Sequence, residues 1–486
     1  MYSYLKMSGV SMIVAFSQKS LGIGIDGKVP WDIPEHNAHL DELSRNNAVV
    51  MGRHTFESLG KKPLVDRFNI VISSQNSRSA DILELAHPSL AIVGPHAIYQ
   101  LAGALGTDCL PDDPYKTLFV IGGSRLYQHF MGVANTIYAT VVEKDDFRFD
   151  TWFPWPSDYR VEDCSTRMWS PVGQCFYRFV TFKKVDKIST IGEFAYLDLL
   201  RDILINGASR PDRTGIGTVA LFAKQLRFDL TDSLIPVITT RAIPYKAIVK
   251  ELLWMLRGSS DSKELEADGV GIWKGNTSRE FLDQRGLTSY QVGQTGPLYG
   301  WSLRRHGQAY AYDSTDSTDS TDSTPGFDQL EHVVASLTND PYSRRHLMTT
   351  FNPGVVDQCV LAPCHGIAIQ FYVEKEKCLS AHVYCRSSDC FLGLPFNIAS
   401  YAILTCLIAK RTGYVPKELV ISTGDTHIYS NHILQVEQQL KRKPLPSPKL
   451  CISEEAAHKP WSLLTVDDFD IGAYISYPAI KGTMAI

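Results

Sequence analysis

The chain has 486 residues, 48 basic against 52 acidic side chains, 44% apolar residues and 21% charged ones. That length is a prior for two to four domains, with chain enough for a core in each. The balanced charge argues against a dedicated nucleic-acid binder, and the composition argues against wholesale disorder.

Val10 to Phe16 reads as a buried strand, followed by the glycine-rich turn Gly22-Ile23-Gly24-Ile25-Asp26-Gly27. A helical pattern runs from about Glu35 to Ser44. The apolar run Ala48-Val49-Val50-Met51 ends in Gly52-Arg53-His54-Thr55, the strand Phe68 to Ile72 in Ser73-Ser74, and the strand Thr117 to Ile121 in Gly122-Gly123. Strands alternating with helices, each closed by glycine or serine, predict an α/β domain with a mostly parallel sheet flanked by helices. Strands at Ile137 to Glu143 and Cys175 to Lys183 are expected to finish it as an antiparallel edge. This domain is set at residues 1–187, and a short polar linker at 188–192 follows.

From Glu193 to the end the pattern changes to an α+β domain, residues 193–486, opening with a helix from Glu193 to Leu204. Long helices are expected at Tyr245 to Gly258 and Ile398 to Gly413. Asp-Ser-Thr repeats from Asp313 to Thr324 without an apolar residue, and read as a solvated insertion. The most apolar stretch, Ile398 to Ala409, is about 12 residues, whereas a membrane span needs roughly 20. No membrane association is expected. The ten cysteines are too sparse for a disulfide scaffold and none are paired as C-x-x-C. Reduced thiols, a cytoplasmic setting and no metal site are the expectations.

The glycines and hydroxyls closing three strands suit phosphate groups, because backbone can come close there. Each pair alone is as well explained by a cap or a turn. Their order is more specific. Gly22-Ile23-Gly24 through Val29-Pro30-Trp31, Val50-Met51-Gly52-Arg53-His54-Thr55, Asn69-Ile70-Val71-Ile72-Ser73-Ser74 and Val120-Ile121-Gly122-Gly123-Ser124-Arg125-Leu126-Tyr127 resemble dihydrofolate reductase. The resemblance implies NADPH held by Arg53, His54, Thr55, Ser73, Ser74, Gly122, Gly123, Ser124 and Arg125. It implies a mobile loop from Gly22 to Trp31 over the nicotinamide. Arg67 would pair with the α-carboxylate of the folate tail, and Thr140 would orient the pterin.

That family carries an Asp or Glu five or six residues after the Trp, to support protonation of the pterin; here His36 and Asn37 stand there. His36, Leu40 and Leu43 share a helical stripe, so His36 is expected to face the pocket and Glu35 the solvent. Three readings stay open: Glu35 reaches in as the acid, His36 supports an altered reduction, or this half is impaired and serves as a binding or dimer-supporting module. The last is the working reading for this half alone.

In the second half, Leu361-Ala362-Pro363-Cys364-His365 puts a thiol between a proline turn and an apolar strand. Arg213, Arg344-Arg345 and Arg386-Ser387 could bind a phosphate and hold a thiolate at neutral pH. Asp212-Arg213-Thr214-Gly215, Lys250-Glu251-Leu252-Leu253-Trp254, Gly296-Pro297-Leu298-Tyr299-Gly300, Pro363-Cys364-His365, Leu392-Gly393-Leu394-Pro395-Phe396-Asn397 and Gly424-Asp425-Thr426-His427-Ile428-Tyr429 resemble thymidylate synthase. The resemblance implies that Cys364 adds to C6 of dUMP and that C5 takes the one-carbon unit of methylenetetrahydrofolate. Arg213, Arg386 and Ser387 would hold the phosphate, joined by Arg344 and Arg345 of a second subunit, which implies a homodimer. Asn397 would read the uracil edge, and His427 and Tyr429 the ribose. Glu251 would organise a proton-carrying water, and Tyr299 would assist removal of the C5 proton. Asp389, Trp273, Asn276 and Leu392 would line the folate side, with Asp389 also counted among the catalytic groups. Cys385, Leu303 and Ala362 depart from the family pattern. For the whole chain the best reading is a fused, bifunctional reductase and synthase; the alternative is an active synthase with a silent reductase half.

Overall fold

The computed structural model describes residues 9–74, 89–95, 117–154, 156–185, 192–310, 325–374 and 377–484. The Asp-Ser-Thr repeat, most of the linker expected at 188–192 and the final two residues lie outside the described residues. Contacts divide the chain into two units: Met1–Ile188 with Gly472–Pro478, and Ser189–Ile471 with Ala479–Ile486.

The first unit is built from β1 (Gly9–Ser17), β2 (Gly22–Gly24), α1 (Pro34–Ser44), β3 (Ala48–Gly52), α2 (Arg53–Ser58), β4 (Phe68–Ile72), β5 (Leu90–Val93), β6 (Thr117–Val120), α3 (Ser124–Phe130), β7 (Thr136–Val142), β8 (Thr151–Trp152), β9 (Tyr159–Cys164), β10 (Met168–Ser170) and β11 (Cys175–Lys184). Its main sheet runs β10-β11-β7-β1-β6-β3-β4-β5, with β9 also paired to β11. The pairs from β7 to β5 are parallel. Strands buried on both faces explain the apolar runs Met12 to Phe16 of β1 and Ala48 to Met51 of β3. The expected antiparallel edge needs a correction. β7 lies inside the sheet, parallel to β1, because α3 lies between β6 and β7 and carries the chain back over. The antiparallel pairing starts one strand later, between β7 and β11.

α1 begins at Pro34, a residue suited to a first helical position because its missing N–H has no partner to lose there. Leu40 and Leu43 of α1 pack on the core formed by Ile13, Val49, Met51, Phe56, Val71, Phe119 and Ile121. That docking fixes which face of α1 looks along the sheet.

The second unit contains α4 (Glu193–Asn206), β12 (Ala208–Arg210), β13 (Thr218–Asp229), α5 (Tyr245–Arg257), α6 (Ser262–Ala267), α7 (Arg279–Gln284), α8 (Gly300–Arg304), α9 (Gln329–Asn339), β14 (Leu347–Met348), β15 (Ala368–Val373), β16 (Cys378–Asp389), α10 (Gly393–Thr412), β17 (Val415–Tyr429), α11 (Ile433–Leu440), β18 (Leu450–Ile452) and β19 (Phe469–Ile471). The large sheet runs β12-β13-β17-β16-β15-β14, mixed in direction, with β16 and β17 parallel. α10 makes the crossover between those two strands. By length and composition α10 could cross a membrane, yet 78% of its apolar window is buried inside the unit, as a core helix. α5 ends where Gly258 takes a left-handed conformation, φ 77°, and closes the last turn.

Candidate active sites

In the first unit His36, at the family's acid position, and the neighbouring carboxylate Glu35 separate. His36 points from α1 toward β7, where its Nδ1 lies 2.8 Å from the Thr140 hydroxyl. Thr140 is buried, held in register between Ala15 of β1 and Phe179 of β11. Burial, with a smaller contribution from His39, lowers the His36 imidazole to about 4. It is therefore neutral at pH 7. Glu35 does not face open solvent as the sequence suggested. It is half-buried, and its carboxylate accepts a hydrogen bond from the buried Ser170 hydroxyl at 2.8 Å. The β10–β11 turn comes very close to the start of α1: a Cβ at Gly173 would lie 2.8 Å from the Asp32 carbonyl.

The phosphate-suited residues stand at neighbouring strand ends. The amide of Gly52 donates to the Gly122 carbonyl at 2.8 Å, which ties the ends of β3 and β6 together. Gly122 and Gly123 are joined by a cis peptide, and Gly122 has φ 133°. A Cβ on Gly122 would sit 3.0 Å from the Thr55 hydroxyl. The bare backbone there leaves the kind of cradle an NADPH phosphate needs, with Thr55 at its wall. Ser73 is buried, while Ser74, Arg125 and His54 are exposed. Ser124 is already used: its hydroxyl donates to the Trp152 carbonyl at 2.7 Å. Arg53 bonds Glu57 at 2.7 Å, one turn along α2. Gly22 is needed for packing, since a Cβ would meet the Phe149 ring at 2.1 Å. Trp31 is buried against Phe147 and Phe149, and its indole N–H has no partner among the described residues. Arg67 is buried and bonded within the chain to Asp41, Ser44 and Val65.

In the second unit Cys364, the candidate nucleophile, sits in the turn before β15. The Tyr299 hydroxyl lies 3.3 Å from Cys364 Sγ and accepts the Cys364 amide at 3.1 Å. Tyr299 stacks on His365, centroids 4.3 Å apart, and His365 Nδ1 lies 2.8 Å from the Tyr401 hydroxyl. Burial pushes the Cys364 thiol above its ordinary range, against the pull of Tyr299 and Arg386. This corrects the expectation of a resting thiolate: desolvation outweighs the Tyr299 hydrogen bond and the Arg386 charge. Arg386 donates to the carbonyls of Pro363 and Ala362 at 3.1 and 3.3 Å, and Ser387 N–H donates to the Cys364 carbonyl at 3.3 Å. One end of β16 is thereby fastened to the nucleophile turn.

The parallel register carries the rest. Ser387 lies opposite Asp425, and Asp389 opposite His427. His427 is buried, and its Nδ1 bonds Asp425 at 2.8 Å, which presents the other ring nitrogen away from Asp425. Tyr429 pairs in register with Thr218 at the foot of the Arg213 loop. Asp212 shapes that loop, accepting from the amides of Thr214 at 2.9 Å and Gly217 at 2.7 Å, while Arg213 itself is exposed. Asp389 is a cap: one oxygen accepts the amides of Phe391 and Leu392. Asn397 and Leu392 are half-buried at the start of α10.

Glu251 of α5 is half-buried and accepts the Trp273 indole N–H at 2.9 Å. Desolvation raises it to about 7. Trp273 also lies 6.0 Å from Tyr299, ring to ring, and Asn276 is buried nearby in sequence. Cys385 is wholly buried and pushed up to about 12 by burial and by Cys364, so it is inert as a thiolate source. Leu303 is buried and Ala362 half-buried. Arg344 and Arg345 are exposed, and their guanidinium groups make no hydrogen bond or ion pair among the described residues.

Comparison with known proteins decides the assignment. The dihydrofolate reductase family matches residues 9–184, and the thymidylate synthase family residues 194–486. A bifunctional dihydrofolate reductase-thymidylate synthase of Leishmania amazonensis is 35% identical, covering 100% of this chain and 96% of the relative. Proteins of the same description from Arabidopsis thaliana and Paramecium tetraurelia are each 34% identical over 98% of this chain. They cover 96% and 98% of those relatives.

The chain belongs to the bifunctional dihydrofolate reductase–thymidylate synthase family. It joins an NADPH-dependent reductase unit to a synthase unit that uses methylenetetrahydrofolate. The reading of the first half as a silent module finds no support in relatives that match it end to end and are named for both activities.

Sequence reasoning missed several supporting residues. Asp425 lies two before His427 on one strand, so period-two spacing could have paired them. Ser170 and Asp41 are far from Glu35 and Arg67 in sequence, and no local signal links them.

Proposed function

We propose that the two activities run through the residues assembled above. In the synthase unit, Arg213, Arg386 and Ser387 bind the dUMP phosphate, His427 and Tyr429 the ribose, and Asn397 the uracil edge. Cys364 Sγ, once deprotonated, adds to C6, so that the electron pair moves to C5 and the base becomes a nucleophile. Tyr299, 3.3 Å from that sulfur, is placed to help remove the C5 proton later. Glu251, near 7, can hold or release a proton at neutral pH. Trp273, Asn276, Asp389 and Leu392 form the folate side. The observation that carries the reading is the Cys364–Tyr299 pair beside a carboxyl tuned to neutrality. Incubation with 5-fluoro-dUMP and methylenetetrahydrofolate, followed by peptide mass spectrometry, tests it. A covalent adduct at Cys364, absent in Cys364→Ala, is expected; an unmodified Cys364 refutes the assignment.

In the reductase unit, NADPH supplies the hydride when bound. Thr55, Ser73, Ser74 and the Gly122–Gly123 backbone hold its phosphates, with Arg53 and Arg125 beside them. Arg67 anchors the folate tail. His36 and Thr140 face the pterin as a neutral hydrogen-bonded pair that can relay a proton. Glu35 is held by Ser170 and is not the acid. NADPH oxidation by the full chain checks this. Glu35→Gln should keep the rate within about threefold, and His36→Ala should lower it at least tenfold.

We also propose a cytoplasmic homodimer. Tyr372 and Tyr384 are exposed on β15 and β16, and Phe222 on β13, an apolar surface that a second copy would cover. Arg344 and Arg345 are free to reach the phosphate site of that copy.

A further inference from the structure

Arg67 is 3% exposed, and nearly all its donors are taken. Nε donates to the Ser44 hydroxyl at 2.9 Å, Nη1 to the Val65 carbonyl at 2.6 Å, and Nη2 to the Asp41 carbonyl at 2.8 Å. A further hydrogen bond from Nη2 goes to the Asp41 carboxylate. A guanidinium has five N–H groups, so one remains. The other oxygen of Asp41 pairs with Arg45, one turn further along α1. Hydrogen bonds from Arg45 and Arg67 hold the Asp41 carboxyl below its usual range, so it is charged at neutral pH.

We propose that Asp41 is a specificity-determining residue of the reductase site, an internal carboxylate that occupies Arg67 in competition with the anionic tail of the folate substrate. The inference rests on the reading of Arg67 as the tail's anchor. A carboxylate approaching Arg67 meets a guanidinium that Asp41 already occupies, with one N–H to offer. Two-point contact requires the tail to displace the Asp41 oxygen. Arg45 gives Asp41 somewhere to go, since it already holds the second oxygen and both side chains are about half exposed. The exchange trades one charged hydrogen bond for another of the same kind, so its net free energy is small. Asp41 thus acts through Arg67, lowering what the tail adds to affinity while leaving the pterin pocket alone.

The experiment measures equilibrium binding to the full chain by intrinsic fluorescence. The probes are dihydrofolate and a dimethyl dihydropterin that lacks the tail. With the unmodified chain, dihydrofolate should bind less than about tenfold tighter than the tail-less pterin. Asp41→Asn should raise that ratio about tenfold by tightening dihydrofolate alone, and Asp41→Glu should keep the original ratio. Each variant is its own control through the ratio, so a general loss of stability does not imitate the effect. An unmodified-chain ratio above about a hundredfold overturns the proposal, and so does an Asp41→Asn ratio that stays put. Arg67→Gln separates the two readings. If it weakens dihydrofolate while Asp41→Asn changes nothing, the competition is refuted and the anchor stands. If it changes nothing either, the anchor falls and the proposal with it.

Discussion

Glu251 carries a desolvated carboxyl group with one donor, and that single hydrogen bond does not offset the desolvation. Its rise to about 7 places its titration inside the working range of an enzyme. The synthase kcat/KM should therefore inflect near pH 7, and Glu251→Gln should remove the inflection and lower the rate about a hundredfold or more. A persisting inflection would assign it elsewhere. His36 shows the opposite shift, since burial disfavours its charged form. A cationic diaminopyrimidine antifolate finds there a neutral imidazole in place of the family's carboxylate. It should lose roughly 2–5 kcal/mol relative to an enzyme with that partner. Calorimetry on the unmodified chain and on His36→Asp measures this: weak binding that tightens in the variant is expected, and nanomolar binding without the substitution contradicts it. The absence of the acid was legible in the residues themselves. The destination of Glu35 was not, because Ser170 reaches it through the tertiary approach of Gly173 to α1.

At the scale of elements, strand ends and helix phases were readable, and connections less so. The stripe of His36, Leu40 and Leu43 gave the correct face of α1, because 3.6-residue periodicity depends only on local order. β7 was misplaced at an edge because its direction depends on α3, and polarity along one strand does not reveal which neighbour it joins. α10 begins five residues before the expected Ile398, since Gly393 and Pro395 look like loop residues. Pro395 is tolerated because amides of a first helical turn have no helical acceptor. The junction of β6 and α3 makes a sharper test. Gly122 combines φ 133° with a Cβ position 3.0 Å from Thr55. Gly122→Ala should cost about 1–3 kcal/mol of stability through that backbone conformation alone. It should also weaken NADPH at least tenfold, read by fluorescence titration. A variant that binds NADPH normally would move the phosphate cradle away from this turn.

Across the described residues of both units, two histidines are held near 4 by burial, His36 in one unit and His365 in the other. Both take up a proton near 6.5 when unfolded, so between about 6.5 and 4 the unfolded chain binds more protons than the folded one. Stability from this source is intact above pH 6.5 and falls as the pH drops through that window. Glu251, raised to about 7, acts in the opposite sense over the same window, so the histidine contribution is read as a difference: between pH 6.5 and pH 4.5 the melting temperature of the full chain should change in a less unfavourable direction in His365→Asn than in the unmodified chain. Assembly can be tested by mixing two inactive proteins. Cys364→Ala lacks the proposed nucleophile, and Arg344→Ala with Arg345→Ala lacks the arginines proposed to serve the neighbouring copy. If each site takes Cys364 from one chain and the arginine pair from its partner, a mixed dimer contains one site with every group wild type and one lacking both. Random exchange makes half the dimers mixed, so synthase activity should recover to about a quarter of the unmodified level. If the arginines serve the site of their own chain, every site in the mixture lacks one group or the other, and activity stays at the background of the two parents.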